Sequence, residues 1–322
     1  MGIVRFIVKR LISMIITISV VLAVSFLMMH YSPNSFFSST TLASGMGNLQ
    51  FQDPKLYQQY ITMFENRYGM NKPIYDQVLS YVWNSLTFNF GNSFENPTMP
   101  IMTQLKESLP ISIELSLGSV ILAVIIGLPL GVLAALYRNS WIDSLLTTFS
   151  MIGQAIPAFV FAVILVLLFG VVWPGVVPIN GWGTFADAIL PTIALCVGNI
   201  GVVTRYMRGS LIESMRKDYI RTAKAKGVPY WPLVWKHGIR NSLTAMVTVI
   251  GPTFAFTVVG TVWVENIFSI PGLGTLMSGA FVNDDIPLAI TSVFILSLMV
   301  MGVNLLVDLS YALMDPRVKL EA

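Results

Sequence analysis

Six basic side chains (Lys217, Arg221, Lys224, Lys226, Lys236 and Arg240, with Arg216 just ahead) crowd residues 217–241 of a sequence in which only 11% of residues are charged. The chemistry such a stretch offers is that of a surface another molecule can grip. Its local code is explicit. Asp218 is an N-cap for a short helix through Lys226, and Gly227 is a C′ residue able to take the left-handed conformation. Pro229 prevents that helix from continuing, and Pro232 suits the first turn of a second helix over 233–241. The insert then has a basic face and an apolar one carrying Ile220, Ala223, Val228, Trp231, Val234 and Trp235.

Other chemistries find little support. No G-x-x-x-x-G-K-[ST] occurs, and the glycine run at 271–274 has no lysine, so the chain lacks an ATP site of its own. His30 and His237 lie far apart, which argues against a multi-histidine metal site, and Cys196 reads as a small packing residue. Glu114, Asp143, Asp187, Glu265 and Asp308 each fall toward the end of an apolar run, where snorkelling or capping lowers their cost. For Glu114 and Glu265 two readings stand: contact with a substrate amino terminus or partner at an outer mouth, or capping and packing. Gln154, Ser150 and Asn199 add polar groups within or near the apolar runs. Glu114, Gln154, Asn199 and Glu265 are thus the candidates for a translocation path or outer gate, with packing as the competing role.

These residues must be positioned by membrane helices. Hydrophobic residues make up 55% of the chain, whereas about a quarter of a soluble domain is charged. Six runs are long enough to span, each needing about 20 apolar residues: 11–29, 111–137, 145–173 (interrupted by Pro157), 189–206, 243–264 and 286–306. Gly127 and Gly131, one turn apart beside Pro129, allow close helix approach. The proline-bearing stretch 31–107, with helical spacing at 56–68 and 75–86, is read as a small folded cap. The organisation expected is a basic lead and first span over 1–30, the cap over 31–107, and a five-helix core over 108–322 with a loop at 207–241.

Orientation follows from Lys and Arg. Fifteen of the nineteen lie in the amino lead, at Arg138, in the insert region from Arg205 to Arg240, and in the tail. Lys55, Arg67, Lys72 and Lys106 all lie in the long region after the first span, and the two short outer turns have none. Six spans with both termini in the cytoplasm are expected, and the modest net charge of +3 calls for no nucleic-acid partner.

The insert R-T-A-K-A-K-G followed by H-G-I-R-N-S-L resembles the EAA loop of bacterial ABC-importer permeases. Ala223 and Gly227 match that pattern. Arg221 and Thr222 replace its Glu-Ala, and His237, Ile239 and Arg240 stand at its Ile, Leu and Pro places. These departures are similar to the oligopeptide/dipeptide/nickel branch, specifically its first (B-type) permease subunit. V-K-R-L, R-Y-G-M-N-K-P, N-F-G-N-S, L-P-I-S-I-E-L, V-E-N-I-F-S-I-P-G-L-G and Y-A-L-M-D-P-R-V agree with it across most of the chain.

The resemblance implies an all-α membrane protein with the type I ABC-importer permease fold, in the bacterial cytoplasmic membrane. It implies a heterodimer with a second permease, two ATPases that bind ATP and Mg, and an extracytoplasmic peptide-binding protein. It also implies an ATPase-coupling loop comprising Arg221, Thr222, Ala223, Lys224, Ala225, Lys226, Gly227, Val228, Pro229 and His237. Two alternatives remain: the same scaffold importing nickel or a metal chelate, and a stand-alone secondary transporter.

Overall fold

Long uncharged runs satisfy their backbone groups internally, and in this chain they do so as helices. The computed structural model describes residues 2–31, 53–56, 58, 59, 62, 72–93, 95, 98–283 and 285–314. Most of the 56–68 stretch expected to be helical lies outside these residues. A helix is present at Ile74–Leu86, where helical spacing over 75–86 predicts one.

In chain order the helices are α1 (Gly2–His30), α2 (Ile74–Leu86), α3 (Ile101–Leu136), α4 (Trp141–Ala155), α5 (Ala158–Leu167), α6 (Phe185–Ser214), α7 (Asp218–Ala225), α8 (Arg240–Ile267), α9 (Leu273–Val282) and α10 (Ile286–Met314). A π-wound turn over Leu168–Val172 extends α5. Another over Leu233–Ile239, preceded by the turn Tyr230–Pro232, leads into α8.

Among the described residues, five helices are long and apolar enough to cross a membrane, counting Tyr230–Ile267 as one. The pair α4 and α5 supplies a sixth crossing only if taken together, and it is bent by 93°. The run expected as a third span interrupted by Pro157 is therefore two helices at nearly a right angle. Pro157 has φ −59° and ψ 142°, and Ile156 before it is extended, as a residue preceding proline prefers.

Two compact units divide the chain. In the first, Met1–Ile111 with Pro271–Met299, α1 buries Ile18, Leu22 and Phe26, and Phe26 packs on Tyr81 of α2 with ring centroids 5.3 Å apart. The N-F-G-N-S segment is tied down by the fully buried Asp285, which accepts the Ser93 hydroxyl and, at 3.3 Å, the Glu95 N–H. The other Asp285 oxygen accepts the Leu288 N–H at 3.2 Å, which caps α10. Phe88 and Phe90 close on Phe294 of that helix at 6.0 and 5.8 Å.

In the second unit, Ser112–Ile270 with Val300–Ala322, α6 is the helix that α4, α5 and α8 all pack against. The close approach expected of Gly127 and Gly131 is made to α6. A Cβ on Gly131 would lie 2.6 Å from Met207 Cβ, and one on Gly127 would lie 2.8 Å from Val203 Cβ. On another side, a Cβ on Gly201 would lie 2.3 Å from the Ser150 carbonyl of α4.

Charge locks the same pair of helices. Arg208 of α6 donates from Nε and Nη2 to the two Asp143 oxygens of α4, at 2.6 and 2.7 Å. Asp143 also accepts the N–H of Asn139, at 2.9 Å, in the turn before α4. Asn139 has φ +63°, a left-handed conformation that asparagine tolerates. Asp187 behaves as a cap, accepting the Thr184 N–H at 2.8 Å at the start of α6.

Two predictions follow from this packing. Gly201→Val should lower the melting temperature of the detergent-solubilised protein, by overpacking worth about 1–3 kcal/mol. Gly302→Ala, whose Cβ meets nothing within 4 Å, should not lower it. For the ion pair, Asp143→Ala and Arg208→Ala should each destabilise, and the double variant should lose less than their sum. The coupling expected is about 0.5–3 kcal/mol, and strictly additive losses would show that the pair is not a clamp.

Candidate functional site

The basic insert begins where α6 ends. Helix α7 has Lys217, not the expected Asp218, at its N-cap, because Lys217 is extended (φ −71°, ψ 155°) while Asp218 already has its place in the helix. Asp218 instead sits in the first turn, where its negative charge favours the positive helix end. The other end closes as the sequence reads. Gly227 has φ +80°, its N–H donates to the Lys224 carbonyl at 3.0 Å, and the Val228 N–H donates to the Ala223 carbonyl at 3.2 Å. This is a Schellman closure, which satisfies two carbonyls that the helix itself cannot.

The second arm differs from expectation. No separate helix ends at Asn241. The chain turns at Tyr230–Pro232, winds as a π-helix over Leu233–Ile239, and runs on as α8, so the arm is continuous with a span. The expected apolar face is split. Trp231, in the turn before the π-helix, and Trp235, within it, are 59% and 63% exposed, while Val234 is buried. The π-helix bonds i→i+5, which brings residues about five apart onto one side. Leu233 and Val234 therefore share the buried side with Gly238 and Ile239.

The buried side is welded to α6. Val234, Ile239 and Met246 form one core cluster with Val203, Met207 and Leu211. A Cβ on Gly238 would meet Met215 Sδ at 2.8 Å and Leu211 Cδ1 at 3.1 Å, so glycine lets the arm lie this close. The Ser214 hydroxyl donates to the Gly238 carbonyl at 3.2 Å and lies 2.6 Å from the Tyr219 hydroxyl. Ile220 is the α7 side chain buried beneath.

The remaining face of α7 is polar and open. Arg221, Thr222, Lys224, Ala225, Lys226, Gly227 and Pro229 are exposed, and Ala223 and Val228 are half-buried. His237 sits apart from them, half-buried in the π-wound arm. Lys217 pairs with Glu213 at 2.7 Å, and this hydrogen bond pushes the lysine above its ordinary pKa. Nine of the ten expected coupling residues thus make one short helix and its closing turn. That helix is anchored underneath and presents a cationic surface.

The path candidates do not form one cluster. Glu114 is exposed on α3, and Glu265 is fully buried near the end of α8. Asn199 of α6 donates to Thr257 Oγ1 of α8 at 2.9 Å, on the same face of α8 as Thr253, Thr261 and Glu265. Gln154 of α4 is exposed and accepts from Arg205 Nη2. Arg205 and Arg208 were counted from the sequence only as topology charges. Their role as partners of α4 was hidden because α6 runs to Ser214, eight residues past the expected end of the span. The one available signal was that Asp143 and both arginines belong to the same expected side. Among the described residues, no group of three or more His, Cys, Asp or Glu side chains is arranged to hold a metal ion.

Comparison with known proteins agrees with this architecture. Residues 127–320 match the model of a family described as binding-protein-dependent transport system inner membrane component. The dipeptide transport system permease protein DppB of Lactococcus lactis subsp. cremoris is 35% identical over 98% of this chain and 100% of its own length. The oligopeptide transport system permease protein OppB of Haemophilus influenzae is 33% identical over 98% of this chain and 99% of its own. In fold, the chain is similar to a solved inward-facing structure of the MetNI methionine ABC transporter. The TM-score is 0.58 at 18% identity, covering 68% of this chain and 99% of that one. With its long apolar helices and this match over more than half its length, the protein belongs to the binding-protein-dependent transport system inner membrane components, with the type I ABC-importer permease fold.

Proposed function

We propose that this chain is the first permease subunit of an ATP-driven peptide importer in a bacterial cytoplasmic membrane. It forms half of a translocation path with a second, homologous permease, and both of its termini face the cytoplasm. Two ATPases beneath it bind ATP and Mg, and an extracytoplasmic binding protein delivers the cargo to a docking region within 31–107. The dipeptide and oligopeptide permeases among its relatives support peptide over nickel or a metal chelate.

The observation that carries the mechanism is the anchoring of α7. Val234, Gly238 and Ile239 pack the arm that follows α7 onto α6, and that arm is continuous with α8. A push on the exposed cationic face of α7 therefore reaches two spans as a rigid-body motion instead of dissipating in a loop. In this reading Arg221, Lys224 and Lys226 meet an ATPase surface, and the Gly227 closure fixes the angle at which α7 is presented. His237 supports the joint from the other arm.

Two measurements test this. Affinity capture of the tagged chain from mildly solubilised native membranes should bring a sister permease, two ATPases and a peptide-binding lipoprotein; isolation of the chain alone under conditions that preserve other complexes would reject the importer. Gly227→Val, which forces a branched side chain to φ > 0, and Ala223→Asp should each cut peptide-stimulated ATP hydrolysis at least about tenfold, the effect of roughly 1.4 kcal/mol. Membrane insertion should be unchanged. Full ATPase recovery with normal transport in both variants would overturn the coupling role.

A further inference from the structure

Arg205 lies nine residues before the end of α6, about 14 Å inside the helix terminus at 1.5 Å per residue. The apolar run expected as the span ends at 206, so Arg205 stands at its edge, where an arginine is open to a functional role unless its charge is consumed. One turn on, Arg208 is consumed by Asp143. Arg205 is not: it is exposed, and it hydrogen-bonds the neutral amide of Gln154, which does not compensate its charge.

A cavity of about 440 Å³ opens beside it between α6 and α8. Tyr206, Ser210 and Thr248 line it, Arg205 stands at one end, and Glu213 stands two turns away at the other. Gly209 forms part of its wall, and a Cβ there would meet nothing within 4 Å, so the wall is open by composition and not by packing strain. The volume lies within the range of small-molecule sites, about 300–1,000 Å³. Glu213 is already held by Lys217 at 2.7 Å, so the charge this cavity offers is that of Arg205, which suits a ligand bearing a carboxylate.

Resting on the reading of the chain as a peptide permease, we propose that this cavity is a subsite of the translocation path and that Arg205 receives the α-carboxylate of the passing peptide. Every linear peptide carries that group whatever its side chains, so such a site serves a varied cargo. A guanidinium binds it through two parallel N–H···O bonds, a stronger and more directional contact than the single amide of Gln154 supplies. Gln154 is the resident partner that holds the Arg205 side chain in place while the cavity is empty.

The test uses the whole importer, captured through a tag on this chain and reconstituted in vesicles of phosphatidylethanolamine with varied phosphatidylglycerol. The probes are a tripeptide and its C-terminal amide, chosen so that the binding protein carries both. In Arg205→Gln the ratio of acid to amide uptake should fall about tenfold, as loss of a charge-assisted pair predicts, and Arg205→Lys should recover part of it. Gly209→Val, which fills the cavity without a backbone collision, should lower uptake of both peptides while the melting temperature and the recovered partners stay the same. An unchanged ratio in Arg205→Gln, a loss that tracks phosphatidylglycerol content, or normal uptake by Gly209→Val would overturn the subsite. Failure of the unsubstituted importer to take up either peptide would instead overturn the peptide-permease reading on which it rests.

Discussion

At Gly201 the backbone of α6 lies against the Ser150 carbonyl of α4 so closely that a single methyl group would collide at 2.3 Å. Much of the second unit depends on that contact. Lipid tails give apolar helices no hydrophobic reason to associate, so small residues and polar pairs must hold them together. Once Gly201 sets the spacing, Asp143 of α4, before Ser150, meets Arg208 in a two-bond ion pair, and Gln154, after Ser150, accepts from Arg205. On the opposite flank, Gly127 and Gly131 admit Val203 and Met207, so α6 is gripped by α3 and α4 through glycines on either partner.

The basic insert inherits this rigidity. Short helices are marginal by themselves because nucleation costs more than a few bonds return. Helix α7 has only 8 residues, and what holds it is the Schellman turn at Gly227, the buried Ile220 and the Tyr219–Ser214 contact. The π-wound arm adds the second anchor. Its wider winding aligns Leu233 and Val234 with Gly238 and Ile239 and turns Trp235 outward, while Trp231 is exposed in the turn before it. Anchor and exposed surface are thus separated by winding within one short stretch. The coupling role proposed for α7 needs that separation, since one side must hold fast while the other remains available.

Arg205 and Arg208 show how one helix turn separates a charge paired with a carboxylate from one that meets only a neutral amide. The two arginines are three residues apart and both reach α4. Arg208 meets a carboxylate and becomes part of the scaffold. Arg205 meets an amide and keeps its charge beside a cavity. The difference lies in what α4 presents at two positions eleven residues apart, on either side of Gly201's contact.

Much was legible without coordinates because it is encoded locally. Apolar run length located the five long apolar helices, and Gly227 with Pro229 dictated the end of α7 through left-handed φ and a missing N–H. The paired glycines 127 and 131 announced a close helix approach, and the motifs announced the family. What the tertiary structure decided is what local code does not contain. The partner of Gly131, the acid for Arg208 and the amide for Arg205 depend on which helix lies alongside α6. The right-angle break at Pro157, the continuation of α6 to Ser214 and the π winding at Leu233–Ile239 likewise needed the packed chain. A helical pattern assumes 3.6 residues per turn, and a switch to i→i+5 bonding leaves no mark in composition. It arises when burial of Val234 and Gly238 against α6 outweighs the poorer winding. For that reason the sequence could name the insert's residues, while only the fold could say which of them face outward.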